Sequence, residues 1–322
     1  MSKIIGIDIS KQTFDVAFKD QQRWVYLNLK NETTGFRKLE KKLNEGDIVV
    51  MEASGPYHLQ LANYLYSIGI KVVVENPLVI KRYSQMKLKR AKTDKKDAQT
   101  IAEYAQLNEL SLWEPDEQEV IQIKQLHTAI EGLLKACHQI SQQLEALKST
   151  GMLDTALRNN LEQTLNYLVK KKAVLEKRQQ SIVKKHYAKT FQQLRSIPCI
   201  GDKTATMLIV ITNNFKKFKH YKQLIAYVGF SPRIYQSGTS VNGKGHICKM
   251  GKAQVRKLLY MCTWTAKFHN RACKEMYDRL IAKGKHERVI KIAIANKLLK
   301  MAFSIVKNDT TYNKDFQPKP CF

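Results

Sequence analysis

Apolar residues in the N-terminal third come in short runs with polar breaks, which predict alternating strands and helices. Residues 4–9 are apolar apart from Gly6 and Asp8, a pattern typical of a buried central strand that carries one acid. The later runs with strand-like patterns are residues 14–18, 24–29, 47–51 and 70–74. Helix-like spacing is found at residues 33–44, 57–68, 77–86 and 94–108. Three strands of antiparallel type followed by alternating helices and strands predict an RNase H-like α/β fold.

A heptad repeat dominates the middle of the chain. Its apolar positions follow one another at alternating intervals of 3 and 4: Ile123, Leu126, Ile130, Leu133, Cys137, Ile140, Leu144 and Leu147. A looser second series consists of Leu161, Leu165, Leu168, Leu175 and Ile182. Heptads sustained over this length predict a coiled coil, which we expect to help oligomerisation. The sequence leaves open a hairpin within one chain, pairing between chains, or a plain helical bundle.

The last third predicts mostly helices around two loops. Residues 194–205 contain Pro198-x-x-Gly201 and resemble a helix-hairpin-helix turn, whose backbone N–H groups bind a DNA phosphate. A purely structural turn is the alternative. The predicted parts of the chain are an α/β domain, coiled-coil helices, a mostly helical domain and a loosely ordered polar tail: residues 1–112, 113–190, 191–307 and 308–322.

The charge balance predicts a polyanionic partner. Lys and Arg number 55 against 28 Asp and Glu, which gives a net charge of +27. Residues 203–274 contain 14 Lys and Arg but no Asp or Glu, a composition suited to holding phosphates. A generic basic surface is the alternative, and a membrane is disfavoured because no long apolar run is present. The basic residues that we predict to contact nucleic acid are Lys92, Lys95, Lys203, Lys244, Lys249, Lys252 and Arg256.

The cysteines predict a reducing compartment. Six cysteines are present, and they show no CxxC or Cys/His spacing of the kind that zinc requires. No signal peptide or transmembrane run is visible, so we expect a cytoplasmic protein.

Four acids stand at positions where carboxylates are costly without a partner. Asp8 interrupts the first apolar run, Glu52 ends the fourth, and Asp94 and Asp97 open a predicted helix three residues apart. Strands one and four are neighbours in the predicted fold, so the four carboxylates converge and repel one another unless cations bind them. Oxygen ligands of this kind suit Mg²⁺, or Mn²⁺, and two such ions suit phosphoryl transfer.

Two other interpretations of these acids stay open. Asp94 and Asp97 match an ordinary helix first turn, where acids complement the macrodipole. The strand around Asp8 also resembles the opening of actin-like ATPases and sugar kinases. Those folds need further Gly-rich nucleotide loops, and with only 14 glycines the chain shows none.

A Ser- and Gly-rich loop at residues 233–245 lies inside the acid-free stretch. A hydroxyl beside Gly in a field of positive charge can approach a phosphate closely, and the serines of this loop are Ser237 and Ser240. A phosphate-binding loop and a nucleophile loop are both consistent with this pattern, because a serine needs activation to attack.

These motifs together resemble the insertion-sequence-110 family of transposases and the related pilin-gene invertases. The resemblance rests on Asp8 in GIDIS, Glu52 in MEASGPY, Asp94 and Asp97 in KTDKKDA, the turn SIPCIG, and the loop YQSGTSVNGKG. It implies a RuvC-like DEDD domain, a coiled-coil region and a C-terminal domain whose catalytic serine is Ser237 rather than Ser240. It also implies that dimers or tetramers bring the acids of one protomer to the serine of another.

The resemblance further implies how the protein acts. Family members recombine target DNA with the ends of a mobile element, and some are guided by a structured non-coding RNA. We therefore expect a nucleoid-associated bacterial recombinase that forms a covalent phosphoserine link to DNA. A structure-selective DNA endonuclease with the same acids, a site-specific DNA invertase, and a non-catalytic nucleic-acid-binding protein remain as alternatives.

Overall fold

The computed structural model describes residues 2–21, 23–53, 55–88, 93–237, 241–243 and 245–315. The chain forms two compact units, residues 1–115 and residues 116–322. Among the described residues, no helix is both long and apolar enough to cross a membrane.

A mixed five-stranded sheet forms the centre of the first unit. Its strands are β1 (Ile4–Ile9), β2 (Thr13–Asp20), β3 (Arg23–Lys30), β4 (Ile48–Glu52) and β5 (Lys71–Glu75). They lie in the order β3-β2-β1-β4-β5, with β1 antiparallel to β2 and parallel to β4. The predicted strands are thus present, and β1 and β4 are neighbours as predicted.

Helices cover both faces of this sheet. They are α1 (Thr33–Glu40), α2 (His58–Ser67), α3 (Pro77–Met86) and α4 (Asp94–Leu107). Phe36 of α1 and Leu61 of α2 pack with Ile7 on one face, whereas Ile80 of α3 and Ile101 of α4 pack on the other. The first helix is shorter than predicted, because it ends at Glu40 and a turn follows.

The heptad segments form a helical hairpin within one chain. They are α5 (Gln118–Ser149) and α6 (Thr155–His186). Gln179 of α6 donates to the carbonyl of Ile123 on α5 at 3.2 Å, and at the other end Lys148 contacts Glu162 at 3.2 Å. These two contacts define an antiparallel pair. Its role in oligomerisation stays a prediction.

The other helices that the structure describes in the second unit are α7 (Ala188–Ser196), α8 (Asp202–Thr212), α9 (Tyr221–Val228), α10 (Ala253–His269), α11 (Arg271–Ala282) and α12 (Glu287–Lys307). Helix α8 is buried from Thr204 to Thr212. One hydrophobic core joins these helices to the bases of α5 and α6, through Ile123 and Val183.

The segment between α9 and α10 contains strands that the sequence did not predict. They are β6 (Pro232–Arg233), β7 (Gln236–Ser237), β8 (Val241–Asn242) and β9 (His246–Ile247). β6 pairs with β9 and β7 pairs with β8, both antiparallel, so the pairs are nested. Strands of two residues are too short to give a periodic sequence signal, which is why only a loop was predicted.

Candidate active site

The backbone of helix α4 packs directly against the backbone of strand β1. A Cβ atom on Gly6 would be 2.2 Å from the carbonyl oxygen of Ala98 and 2.4 Å from the amide nitrogen of Ala102. Only glycine therefore permits this approach. Asp8 lies two residues beyond Gly6 on the same face of β1, and Asp97 directly precedes Ala98. The close contact thus brings Asp8 and the first turn of α4 together.

Strand register brings Glu52 beside Asp8. In the parallel β1–β4 pair, Ile7 lies opposite Met51, and Asp8 and Glu52 are the next residues of the two strands. Paired residues in neighbouring strands point to the same face, so both acids lie on the face covered by α4. Both side chains are partly buried.

The start of α4 is fixed by a capping residue. The Thr93 hydroxyl accepts a hydrogen bond from the Lys96 amide at 3.3 Å, and the Asp97 amide donates to the Thr93 carbonyl at 2.8 Å. Asp94 and Asp97 thus both lie in the first turn, where the macrodipole favours acids. Asp94 is exposed, whereas Asp97 is partly buried.

The negative charges of the three other acids act on the Asp8 carboxyl. Burial raises the pKa of the Asp8 carboxyl, the negative charges of Asp97, Asp94 and Glu52 raise it further, and the pKa reaches about 6. A neighbouring strand residue, Asp15, adds a smaller contribution. An acid whose pKa is raised by neighbouring negative charges is in an environment that favours a bound cation.

The chemistry of the four acids suits a divalent metal ion. All four groups are carboxylates, the ligands that Mg²⁺ and Mn²⁺ prefer, and a cation would relieve their mutual repulsion. In the described part of the chain, which includes all four acids, no three His, Cys, Asp or Glu side chains are gathered closely enough to hold a metal ion.

Two acids that sequence reasoning missed extend the site. Asp15 is the register partner of Asp8, and Glu75 is the register partner of Glu52. The row runs across all five strands of the sheet: Asn28, Asp15, Asp8, Glu52 and Glu75. The sequence gives little signal for Asp15 and Glu75, because their places beside the other acids follow only from the strand register.

Polar side chains hold α4 to the sheet on both sides of this row. The Tyr104 hydroxyl donates to Glu75 Oε2 at 3.0 Å, and the Tyr26 hydroxyl donates to Gln99 Oε1 at 2.8 Å. The ammonium group of Lys95 lies 3.9 Å from the centre of the Tyr26 ring. Lys95, a predicted nucleic-acid contact, is therefore held beside the acids. Lys92, predicted with it, lies outside the described residues.

The backbone of Ser237 is part of the inner hairpin. Ser237 pairs with Val241 at the end of β7, and the Gly243 amide donates to the Tyr235 carbonyl at 2.9 Å. Ser240 and Lys244 lie outside the described residues. The backbone of the predicted nucleophile is thus held in a strand pair, and the catalytic role of Ser237 stays a proposal.

Tight backbone contacts fix the base of this hairpin. Gly229 has a φ of +87°, and a Cβ there would lie 2.6 Å from the Met250 carbonyl oxygen. Arg256 donates through Nη1 to the Val228 carbonyl at 2.7 Å, which ties α10 to the end of α9. Lys249 donates its backbone amide to the Gly229 carbonyl at 3.2 Å. Arg256 thus has a structural contact besides any contact with phosphate.

Lys252, also at the base of the hairpin, has its ammonium 5.4 Å from the centre of the Tyr227 ring. Its side chain is exposed, so its charge faces solvent. This is the environment expected of a phosphate contact.

The turn between α7 and α8 satisfies much of its own hydrogen bonding. Arg195 donates to the Ile200 carbonyl at 2.8 Å and contacts the Asp202 carboxylate at 2.8 Å. Lys203 lies 3.4 Å from Glu176. Because Asp202 already supplies negative charge to the first turn of α8, these contacts favour the structural interpretation of the turn.

The first unit has the mixed sheet of a DEDD-type transposase domain, and the second unit is mostly helical. A family model for this DEDD domain, described as "Transposase", matches residues 5–150, and one described as "Transposase IS116/IS110/IS902 family" matches residues 191–278. The chain belongs to the IS110 family of transposases, and it is therefore a DNA recombinase.

Relatives resemble the chain over nearly its whole length. The pilin gene-inverting protein of Moraxella lacunata is 28% identical over 324 residues, which cover 98% of this chain and 99% of the relative. The protein of the same name from Moraxella bovis is also 28% identical, over 327 residues with the same coverage. The transposase for insertion sequence element IS1328 of Yersinia enterocolitica is 24% identical over 351 residues, covering 97% and 98%.

Proposed function

We propose that this protein cuts and rejoins DNA by attack of the Ser237 hydroxyl on a backbone phosphate, assisted by Asp8, Glu52, Asp94 and Asp97. The observation that carries the proposal is the raised pKa of Asp8, which registers the charges of the three other acids. A raised pKa that has both a desolvation cause and specific charged partners is typical of functional sites and supports this one as a candidate.

The four acids hold a divalent ion in this proposal. When bound, Mg²⁺ or Mn²⁺ offsets the negative charge that develops on the phosphoryl oxygens. Asp8 and Glu52 are held rigidly by the sheet, whereas Asp94 and Asp97 are positioned by the capped start of α4. Such rigid placement keeps the ligands ready for the reaction rather than leaving them to reorganise.

Ser237 supplies the nucleophile. Its Oγ forms a bond to phosphorus, the bond from phosphorus to one DNA oxygen breaks, and the serine proton passes by way of solvent to that oxygen. The phosphodiester energy is kept in the phosphoserine link, so attack by another DNA hydroxyl rejoins strands and frees the serine without ATP. This retained bond distinguishes a recombinase from a hydrolytic nuclease.

A structured guide RNA and a homo-oligomer complete the proposal. The net charge of +27 and the acid-free stretch at residues 203–274 support binding of RNA as well as of target and donor DNA. Purification from a host that carries the native element, followed by sequencing of bound RNA, tests the guide. Light scattering of the purified protein tests for a dimer or tetramer.

Substitution of the acids tests the reaction directly. Asp94→Asn is expected to abolish cleavage and to retain DNA binding, because the phosphate contacts come from the basic residues. Lys96→Gln, in the same helix turn, serves as the control and is expected to retain cleavage. Full cleavage by Asp94→Asn, or cleavage in a chelator, would remove the proposed role of the acids.

Site-specific inversion of DNA is a second candidate. It is favoured by the two relatives named pilin gene-inverting proteins, which match nearly the whole chain. A plasmid with recombination sites in inverted orientation distinguishes inversion from transposition. Inversion flips the intervening segment, whereas transposition moves it to a new locus.

A further inference from the structure

Three large apolar side chains are exposed along one side of α10. Met261, Trp264 and Phe268 are 58%, 47% and 69% exposed. Their spacing of three and four residues places them on one helix face. A contiguous exposed patch that contains two aromatic rings usually marks a binding surface.

The Trp264 ring is held in place by two lysines. The ammonium group of Lys291 lies 3.3 Å from the centre of the ring, and Lys291 is only 4% exposed. Lys267 places its ammonium group 5.8 Å from the Trp264 ring and 5.0 Å from the Phe268 ring. Cation–π contacts of this kind fix the orientation of an otherwise exposed ring.

The charge around these rings is positive. Glu287 contacts Lys291 at 3.0 Å and Lys267 at 3.8 Å, so one carboxylate faces two ammonium groups. Lys257, one turn before Met261, is exposed. Helix α10 itself lies within the stretch that has no Asp or Glu. This environment favours a polyanion over an uncharged protein surface.

We propose that this face of α10 binds unpaired nucleotides, with bases stacked on Trp264 and Phe268 and phosphates contacted by Lys257 and Lys267. We call these four residues and Met261 the α10 platform. Base stacking on aromatic rings flanked by lysines is the general mode by which proteins bind single strands. Paired bases inside a duplex do not offer their faces, so the platform selects single-stranded over double-stranded nucleic acid.

Binding of a labelled oligothymidine to the full-length protein tests the proposal. It is measured in a chelator, so that the outcome does not depend on the acids or on Ser237. Trp264→Ala and Phe268→Ala are each expected to weaken binding about tenfold, whereas Trp264→Phe stays within about threefold of wild type. The salt dependence of binding is expected to stay unchanged, because the phosphate contacts remain.

Tyr167→Ala is the matched control. Tyr167 on α6 is 59% exposed, and Lys171 lies 5.2 Å from its ring. This substitution is expected to change oligothymidine binding less than about twofold, because Tyr167 lies outside the platform. A duplex of equal length should lose less than about threefold on Trp264→Ala, because its bases do not stack on the protein.

Three results would overturn the proposal. The first is unchanged oligothymidine affinity in both Phe268→Ala and Trp264→Ala, and the second is an equal loss of affinity for the single strand and for the duplex. The third is a change in the molar mass of these variants in light scattering with unchanged affinity, which would make the platform an interface between copies. If Trp264→Ala does not fold, Phe268→Ala carries the test, because that side chain is 69% exposed.

Discussion

Gly6 of strand β1 and Ala98 of helix α4 are in direct backbone contact. A Cβ on Gly6 would lie 2.2 Å from the Ala98 carbonyl oxygen. The two residues flank the acids, because Asp8 follows Gly6 by two positions and Asp97 precedes Ala98. The geometry of the acidic site thus depends on the absence of one methyl group.

Gly6→Ala is expected to force α4 away from β1, at a cost of about 1–3 kcal/mol or more in the free energy of unfolding. Urea unfolding measures that cost, and a strand-cleavage assay measures the accompanying loss of activity. Gly132→Ala is the control, because no atom of the described part of the chain lies within 4 Å of a Cβ at this helical position. That substitution should be neutral or slightly stabilising. Equal stability of Gly6→Ala and wild type would contradict the packing described.

Asp8 is expected to make the metal-free protein less stable as pH rises. Its pKa is raised from 3.8 to about 6, so the folded state resists an ionisation that the unfolded state accepts. The protonated Asp8 carboxyl therefore contributes to the free energy of unfolding in full below pH 3.8, and this contribution is lost as pH rises through about 6. In a chelator, Asp8→Asn is therefore expected to be more stable than wild type above pH 7, by about 1–2 kcal/mol after allowance for partial exposure.

The same variant gives a metal-binding readout that does not depend on activity. Added Mg²⁺ should raise the melting temperature of wild type above pH 7, because an ion that binds only the folded state stabilises it. The melting temperature of Asp8→Asn should stay nearly unchanged, because this variant lacks one of the proposed metal ligands. An equal response of both proteins would show that the ion binds elsewhere. A stability difference that does not narrow between pH 7 and pH 4 would contradict the pKa assignment.

Tyr104 ties α4 to the acidic row through its hydrogen bond with Glu75. Tyr104→Phe is expected to cost about 1–2 kcal/mol in the free energy of unfolding, because it removes this bond and leaves a carboxylate oxygen without its donor. Tyr83→Phe is the matched control, since the buried Tyr83 hydroxyl has no hydrogen-bond partner among the residues that the structure describes. That substitution should be neutral or stabilising. Equal losses in the two variants would mean that the hydroxyls do not differ in role.

Two basic residues at the base of the hairpin are expected to behave differently. Arg256→Ala should destabilise the fold by about 1.5–3 kcal/mol, because it removes a charged donor from the Val228 carbonyl. Lys252→Ala should leave stability nearly unchanged and weaken DNA binding, with a salt dependence reduced by about one phosphate contact. Thermal unfolding and binding titrations at several salt concentrations measure both. A stable Arg256→Ala variant would contradict the structural contact.

The sequence predicts candidate site acids where they interrupt an apolar pattern. Asp8 and Glu52 stand out because a charge on a buried strand is costly, and the helix spacing of Asp94 and Asp97 completes the set. Asp15 gives no such signal. Its place beside Asp8 follows from strand register, which depends on pairing between distant residues.

Other features depended on tertiary structure for similar reasons. The heptads predicted two long helices, but their direction and partner follow from contacts such as that of Gln179 with Ile123. The strands around Ser237 hold two residues each, below the length at which alternation is visible. Arg256 was predicted as a phosphate contact because its charge is visible in the sequence, whereas its carbonyl partner is not.

The covalent intermediate offers the most direct test of the account. Protein is incubated with Mg²⁺ and labelled DNA that contains its recombination site, and DNA–protein adducts are separated under denaturing conditions. Wild type is expected to give an adduct that maps to Ser237. Ser237→Ala is expected to give none, and Ser240→Ala is expected to retain some. Adducts of normal yield in Ser237→Ala would contradict the central claim that this serine attacks the DNA.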